Sequence, residues 1–439
     1  MMITHPPTPS LIKRGGEDIR KNGGEFFSLY IHLPFCKQKC NYCDFVSYAG
    51  KEDLIDEYVD ALCEEIKTSP LSSDFVGIHS PLHQRWRGVD AEGGRGEART
   101  VYFGGGTPTL LEPRHFEQIL KPLLSLPAAK TSSPYKGEEL FSGHSFSPLP
   151  RGRCRAEGEA EGVEITIEAN PATADKTKLK ELRSLGISRL SIGAQSFNDK
   201  HLKVLGRIHN SKDIFKFYED ARSAGFDNIN LDLIFALPNQ TLTEWQKDLE
   251  TALSLNPEHL STYNLQIEEN TPLKTTLTAH ASHLTPANEE LDLAMYEYTI
   301  EALTANGYKH YEISNFAKPG LECKHNIVYW KNENYVGLGA GAHSHVDGKR
   351  WSNPYCLEKY LSLPPGPSHF MLHTSHPDQR ETIFMGLRLL DGIAKEHFAG
   401  FEKEVEELTK VGLLELSGPN IKLTRKGLYL ANEVFLYFV

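Results

Sequence analysis

Three of the chain's seven cysteines fall within eight residues, and this cluster constrains the chain more than any other feature. The run is Tyr30-Ile31-His32-Leu33-Pro34-Phe35-Cys36-Lys37-Gln38-Lys39-Cys40-Asn41-Tyr42-Cys43-Asp44-Phe45. Its Cys-x3-Cys-x2-Cys spacing puts the thiolates of Cys36, Cys40 and Cys43 on one tight loop, directly after a β-prone segment. Soft thiolates suit zinc or iron–sulfur clusters. Structural zinc needs four closed ligands, and no second CxxC or HxxxH pair stands nearby. Three thiolates suit a [4Fe–4S] cluster with one iron left open for an exchangeable ligand. The competing reading is three buried or accidental cysteines. The other four, Cys63, Cys154, Cys323 and Cys356, are scattered, and seven is odd and sparse for 439 residues, which argues against a secreted disulfide framework.

The first β-prone run, Phe27–Leu33, is followed by others at Thr100–Phe103, Val163–Glu168, Ser188–Ile192, Asn228–Ile234 and His259–Leu265. Helical patterns lie between most of them. Leu54, Ile55, Tyr58, Val59, Leu62 and Ile66 form one apolar stripe. Lys176–Leu185, Lys212–Ala224 and Thr241–Leu255 read as helices, as does Pro113–Leu126, where Pro122 predicts a kink or a shorter helix. Six strands alternating with helices predict an α/β fold with a parallel sheet, whose chemistry sits at the C-terminal strand ends.

Two segments break the rhythm, Ser69–Glu97 and Pro127–Gly162, rich in Gly, Ser, Pro, Glu and Arg. They offer too little apolar area to offset ordering entropy of about 1–2 kcal/mol per residue, and read as mobile loop insertions at 69–97 and 127–162; the alternative is a lid. Cys154, within the second, reads as a surface thiol. Residues 1–25, with Pro6, Pro7 and Pro9, read as a disordered tail without a signal-peptide core. Beyond about residue 365 the pattern changes: helices at Arg380–Leu390 and His397–Val411, a hairpin from Leu413–Leu416 to Ile421–Leu423, and a last helix from Thr424. This order resembles a small winged-helix-like α+β unit, and predicts domains at 26–365 and 366–439.

Lys and Arg number 47 against 58 Asp and Glu, a net charge of −11. A net anion repels phosphate backbones, so no nucleic-acid partner is expected, and a DNA-binding role for the C-terminal unit is disfavoured. No stretch of about 18 apolar residues occurs, which predicts a cytoplasmic protein without a transmembrane segment and leaves peripheral membrane association open.

CxxxCxxC after a first strand resembles the radical S-adenosylmethionine (SAM) superfamily. The resemblance implies a partial (βα)6-type barrel, a [4Fe–4S] cluster on Cys36, Cys40 and Cys43, and SAM chelating the open iron. One electron then cleaves SAM to methionine and a 5′-deoxyadenosyl radical, which implies a donor such as flavodoxin or ferredoxin. Further matches follow in order: Tyr30 and Tyr42 in the cysteine run; Gly105, Gly106 and Thr107 in Gly104-Gly105-Gly106-Thr107-Pro108; Glu168 in Ile167-Glu168-Ala169-Asn170-Pro171; Gln195 in Gly193-Ala194-Gln195-Ser196; Arg207 in Leu205-Gly206-Arg207; and Asp232 in Leu231-Asp232-Leu233. In related enzymes the matching residues contact SAM, while each alone reads as an ordinary rim residue.

From about residue 26 onward the chain resembles the coproporphyrinogen III oxidase-like branch, with a HemN-like C-terminal domain. That branch holds an oxygen-independent oxidase and a haem chaperone, the HemW type. The oxidase pattern carries a fourth cysteine where this chain has Phe45, and a longer N-terminal arm than the 29 residues before Tyr30. Cys323-Lys324-His325-Asn326-Ile327-Val328-Tyr329-Trp330 contains HNxxYW, which resembles the chaperones. The resemblance implies haem at His325, Asn326, Tyr329 and Trp330, with Cys323 an alternative ligand, and haem-acceptor proteins, respiratory ones among them, as partners. Imidazole is a common haem ligand, and the aromatics offer flat faces; a structural His-Asn pair is the plain alternative. His343, in Gly337-Leu338-Gly339-Ala340-Gly341-Ala342-His343-Ser344, is a further ligand candidate beside a turn that resembles one near the SAM site. The roughly 300 residues between HNxxYW and the thiolates predict haem binding independent of the cluster. The expected function is haem chaperoning, and the alternative is coproporphyrinogen oxidation.

Overall fold

A computed structural model describes residues 26–69, 97–125, 163–279, 283–363, 371–373 and 379–439. The tail at 1–25, Cys154 and both insertions, apart from Ser69 and Glu97, lie outside them.

Six strands appear where the β-prone runs lie: β1 (Phe26–Leu33), β2 (Glu97–Gly105), β3 (Glu164–Ala169), β4 (Arg189–Gln195), β5 (Ile229–Phe235) and β6 (His259–Asn264). They pair in parallel in that order. A seventh parallel strand, Tyr335–Leu338, adds on the outer side of β1. Antiparallel strands extend both ends, with His343–Val346, Lys349–Ser352 and Met371–His373 beyond the seventh strand and Asn315–Ala317 and Lys309–Glu312 beyond β6. The protein is thus an α/β fold, with one mixed sheet of twelve strands among the described residues.

Side chains alternate between the faces of a strand, and here the two faces differ in chemistry. Leu29, Ile31, Leu33, Val101, Phe103, Ile165, Ile167, Leu190, Ile192, Leu231 and Leu233 are buried with the helices. Helix α1 (Ile55–Thr68) brings Tyr58, Val59 and Leu62; α2 (Pro113–Ser125) brings Phe116 and Ile119; α3 (Lys176–Ser184) brings Leu182; α4 (Asp199–Val204) brings Leu202. Phe217 comes from α5 (Ser211–Ala224), and Trp245 and Leu249 from α6 (Leu242–Ser254). The alternate positions carry Tyr30, His32, Thr100, Tyr102, Thr166, Glu168, Arg189, Ser191, Asn230, Asp232, His259 and Ser261. Buried polar groups need partners: Asn230, for example, accepts at 2.7 Å from His259, whose other ring nitrogen lies 2.8 Å from Tyr311 Oη. The sequence reading placed polar groups at strand ends; the structure extends them along the whole inner face.

Helix α2 continues through Pro122 to Ser125 among the described residues. Proline cannot donate to the carbonyl four residues back, here that of Gln118, and the Cys63 thiol donates to that oxygen instead at 3.5 Å. Helices α5 and α6 start with reciprocal caps, Asn210 with Asp213 and Thr241 with Glu244. Thr241→Ala is expected to cost about 1 kcal/mol, read as a lower denaturant midpoint with an unchanged slope.

The C-terminal part has its own core of Ile383, Leu387, Phe398, Leu408, Leu414, Ile421, Leu423, Val434 and Phe438. A three-stranded sheet of Ile393–Ala394, Leu414–Ser417 and Asn420–Leu423 packs with short helices in an α+β unit. Its helices are shorter than expected. Gln379–Gly386 ends before a turn at Asp391-Gly392, Glu402–Lys410 begins only after Gly400, and the last helix is two, Arg425–Tyr429 and Ala431–Leu436, because Leu430 leaves helical backbone.

Candidate functional site

The cysteine loop leaves β1 through Pro34. Phe35–Cys36 pairs with Tyr48–Ala49, closing the loop at its base. The turn after α4 pins its middle: Asn41 donates from its backbone to Leu205 O at 2.9 Å and from its side chain to Val204 O at 2.9 Å, and Gln38 Nε2 donates to Gly206 O at 3.1 Å. Each sulfur has a polar neighbour. Thr107 Oγ1 donates to Cys36 Sγ at 3.7 Å, Arg207 Nη1 to Cys40 Sγ at 3.3 Å, and Ser47 Oγ lies 4.0 Å from Cys43 Sγ. Burial pushes the Cys36 and Cys43 thiols above their ordinary value. Among the described residues no group of three or more His, Cys, Asp or Glu side chains is gathered to hold a single metal ion.

The Gly-rich turn after β2 packs against this loop. Gly106 N donates to Leu33 O at 2.9 Å and Thr107 N to Phe35 O at 2.7 Å. A Cβ on Gly106 would stand 2.5 Å from Phe35 O, and one on Gly105, whose φ is +114°, 2.6 Å from His32 Cε1. The glycines therefore allow backbone to approach the cysteine loop. Gly105 N also donates to Glu168 Oε2 at 3.1 Å, and Tyr102 Oη to Glu168 Oε1 at 2.9 Å.

Glu168 and Asp232 share the inner face. Burial first, then the nearby Asp232 charge, raises the Glu168 carboxyl to about 7. Burial also raises Asp232, although Ser191 Oγ and Asn230 Nδ2 donate to it at 3.0 and 2.8 Å. Gln195, at φ +68°, ends β4 beside Arg207. Arg207 Nη2 donates to Gly193 O at 2.7 Å, while its buried Nε has no partner among the described residues. Tyr42 packs with Leu205, Ile234 and Leu237; burial raises its hydroxyl. Of these four residues, spread over 65 positions, Arg207 touches the cysteine loop, Gln195 lies beside Arg207, and Glu168 and Asp232 share the inner face.

The HNxxYW segment is a short helix, Lys324–Trp330. Its first turn is held by Glu164 from β3, which accepts from Cys323 Sγ at 3.9 Å and from His325 N at 3.4 Å, a carboxylate at a helix N-terminus. His325 is buried against the inner face. Its Nδ1 lies 2.7 Å from Thr100 Oγ1, its Nε2 2.9 Å from Tyr329 Oη, and its ring stacks on Tyr102 at 4.9 Å. Burial lowers its imidazole to about 3 and raises the Cys323 thiol to about 12.

Tyr329 and Trp330, by contrast, line a cavity of about 490 Å³ with Tyr30, His32, Asp44, Phe45, Val46, Tyr335, Gly341, His343, Tyr355 and Met385. This volume is typical of a ligand pocket. The segment expected far from the thiolates therefore shares a wall with the residues right after Cys43. Cys323, His325 and Asn326 do not line it. Motif reading missed His32, Tyr355 and Met385. His32 was accessible, since it stands two residues after Tyr30 on the same strand face; Tyr355 and Met385 carry no motif. A larger cavity, about 620 Å³, opens among Glu112, Asp175, Lys178 and Lys216 and holds none of the predicted site residues.

The family model for the radical SAM superfamily matches residues 30–252, and that for the HemN C-terminal domain matches 376–430. The haem chaperone HemW of Bacillus subtilis is 35% identical over 94% of this chain and 99% of its own length. The haem chaperone HemW of Escherichia coli is 37% identical over 73% of this chain and 70% of its own length. The solved coproporphyrinogen III oxidase HemN of Escherichia coli superposes with a TM-score of 0.70 at 22% identity, over 94% of this chain and 90% of that one, which establishes likeness of fold.

Proposed function

The chain belongs to the HemW family of the radical SAM superfamily, and from that premise we propose that it binds haem and hands it to acceptor proteins. The observation that carries this reading is the aromatic cavity, where Tyr329 and Trp330 of HNxxYW meet Phe45 and Val46 of the cysteine loop. Haem is a flat apolar plate with a charged edge, and stacked aromatics with a few polar groups suit such a ligand. Phe45, which stands where the oxidase pattern has its fourth cysteine, is 69% exposed at this cavity and supplies apolar surface instead.

In the same reading Cys36, Cys40 and Cys43 hold a [4Fe–4S] cluster, with Thr107, Arg207 and Ser47 as polar neighbours of the three sulfurs. SAM would lie beside it. The buried Glu168 and Asp232 carboxyls suit the cationic groups of that ligand, and the unpartnered Arg207 Nε–H suits its carboxylate. Tyr42, Gln195 and the Gly105–Thr107 turn complete this wall, and Tyr30 stands between it and the aromatic cavity. When bound, cluster and SAM together supply one-electron chemistry, with a flavodoxin- or ferredoxin-like protein as donor. Among the described residues no helix is long and apolar enough to cross a membrane; we place the protein in the cytoplasm, with residues 366–439 as its second domain.

The test is anaerobic reconstitution followed by parallel assays. We expect about one haem per chain on titration, seen as a shifted Soret band. We expect no conversion of coproporphyrinogen III with cluster, SAM and reductant present. Stoichiometric decarboxylation would make the protein an oxidase instead.

A further inference from the structure

Resting on the haem-binding reading above, we propose that His343 is the side chain that ligates the haem iron, and that Trp330 receives a haem carboxylate. Two histidines of the inner region line the aromatic cavity, His32 and His343. His32 is buried at the base, with Nδ1 3.0 Å from Tyr30 Oη and Nε2 2.8 Å from Val46 O, so both nitrogens are bound to the fold. His343 begins the strand His343–Val346 and is exposed. Its Nε2 lies 2.8 Å from the hydroxyl of Tyr355, itself 45% exposed. With Tyr355 as donor, that contact marks the position of the imidazole lone pair, which is what iron takes. Exchange costs little, because the half-exposed hydroxyl turns to water.

The HNxxYW histidine is enclosed instead. His325 is 1% exposed, both its nitrogens are hydrogen-bonded, and its ring is stacked between other rings of the inner face. Ligation through either ring nitrogen breaks a buried hydrogen bond and leaves Thr100 or Tyr329 unpaired. Cys323 is fully buried, and its raised thiol resists the ionisation that a sulfur ligand needs. His325 instead acts as a positioning residue: through Tyr329 it fixes the aromatic wall.

A second observation points to the same cavity. Trp330 Nε1 is buried without a hydrogen-bond partner among the described residues, and the Arg388 guanidinium covers the indole face at 4.3 Å. A buried N–H without a partner costs stability, which an acceptor recovers. The propionates at the edge of haem are acceptors of the right charge beside Arg388. Iron at His343, aromatic faces from Tyr329 and Tyr355, and carboxylate at Trp330 thus match the three chemical parts of one ligand.

The test is titration of the full-length protein with ferric haem, following the Soret band and the iron spin state. The wild type is expected to show the high-spin spectrum of ferric haem held by one imidazole. His343→Gly is expected to weaken binding at least ~10-fold and to lose that spectrum, and added imidazole to restore it. His343→Gln, which keeps side-chain size and polarity, is expected to lose it as well. Trp330→Phe keeps the ring and removes the N–H, and is expected to weaken haem but not its diester, which lacks the carboxylates. An imidazole-ligated spectrum lost in His325→Gln and kept in both His343 variants overturns the proposal while haem binding stands. Absence of any Soret shift in the wild type removes the haem reading itself.

Discussion

Alanine in place of Cys36, Cys40 or Cys43 is expected to leave a reconstituted protein without its brown chromophore and with iron near zero. Three thiolates are the minimum that holds a four-iron cluster with one open iron. The loop gives no substitute: the polar neighbours of the sulfurs are Thr107, Arg207 and Ser47, two hydroxyls and a cation, none of them a soft ligand. The scaffold does not depend on the sulfurs. Asn41 and Gln38 hold the loop to the turn at 204–206, and Phe35–Cys36 pairs through backbone. Each variant should therefore keep its melting temperature as apo-protein while losing iron. Four irons per chain retained in any one of them would remove the cluster assignment. Haem titration of the same variants adds a second readout. Phe45 and Val46 line the aromatic cavity two and three residues after Cys43, so loss of the cluster is expected to change haem affinity, whereas sequence separation alone predicts independence.

That contrast shows what the sequence can and cannot tell. The six parallel strands and the cysteine loop were legible because each is local: an apolar alternation, a thiol spacing, a Gly-rich turn. The order of Glu168, Gln195, Arg207 and Asp232 was legible only through resemblance, since nothing in their spacing requires them to meet. Of the seventh parallel strand, Tyr335–Leu338, only Gly337 and Leu338 were read, as part of a turn. It has four residues, with one glycine inside it and another just after, and only pairing with β1 makes it a strand. Helix Glu289–Ala305 went unseen because its apolar residues surround it: Met295, Ile300 and Leu303 are buried, yet Leu293 is 40% exposed. Pro122 does not end its helix at that position, and the carbonyl it orphans finds a thiol from another helix. HNxxYW was found, but a motif does not say which of its side chains faces the ligand. The helical turn sends His325 inward and Tyr329 and Trp330 to the cavity, a separation set by Glu164 on a strand far away in sequence.

The same inner face predicts how stability responds to pH. Glu168 has its carboxyl raised to about 7, by burial first and by Asp232 second, against about 4.3 in an unfolded chain. A carboxyl raised in the fold contributes stability below the unfolded value and loses it as pH climbs to the folded one. Between those limits the unfolded state has released a proton that the folded state still holds, so unfolding free energy falls as pH rises. The difference amounts to about 3.7 kcal/mol once pH exceeds 7. Glutamine imitates the protonated form, with one oxygen to accept from Gly105 N and an amide facing the Tyr102 hydroxyl, which can turn to accept. Glu168→Gln apo-protein is therefore expected to come close to the wild type near pH 4.5 and to exceed it by about 3.6 kcal/mol at pH 8, measured by denaturant titration at each pH. Added SAM should narrow the gap at pH 8, because its cationic groups stabilise the charged carboxylate of the wild type and find none in the variant. Parallel stability profiles for the two proteins from pH 4.5 to 8 would show that Glu168 is ionised in the fold at its ordinary value and that the inner face is wetter than its packing indicates.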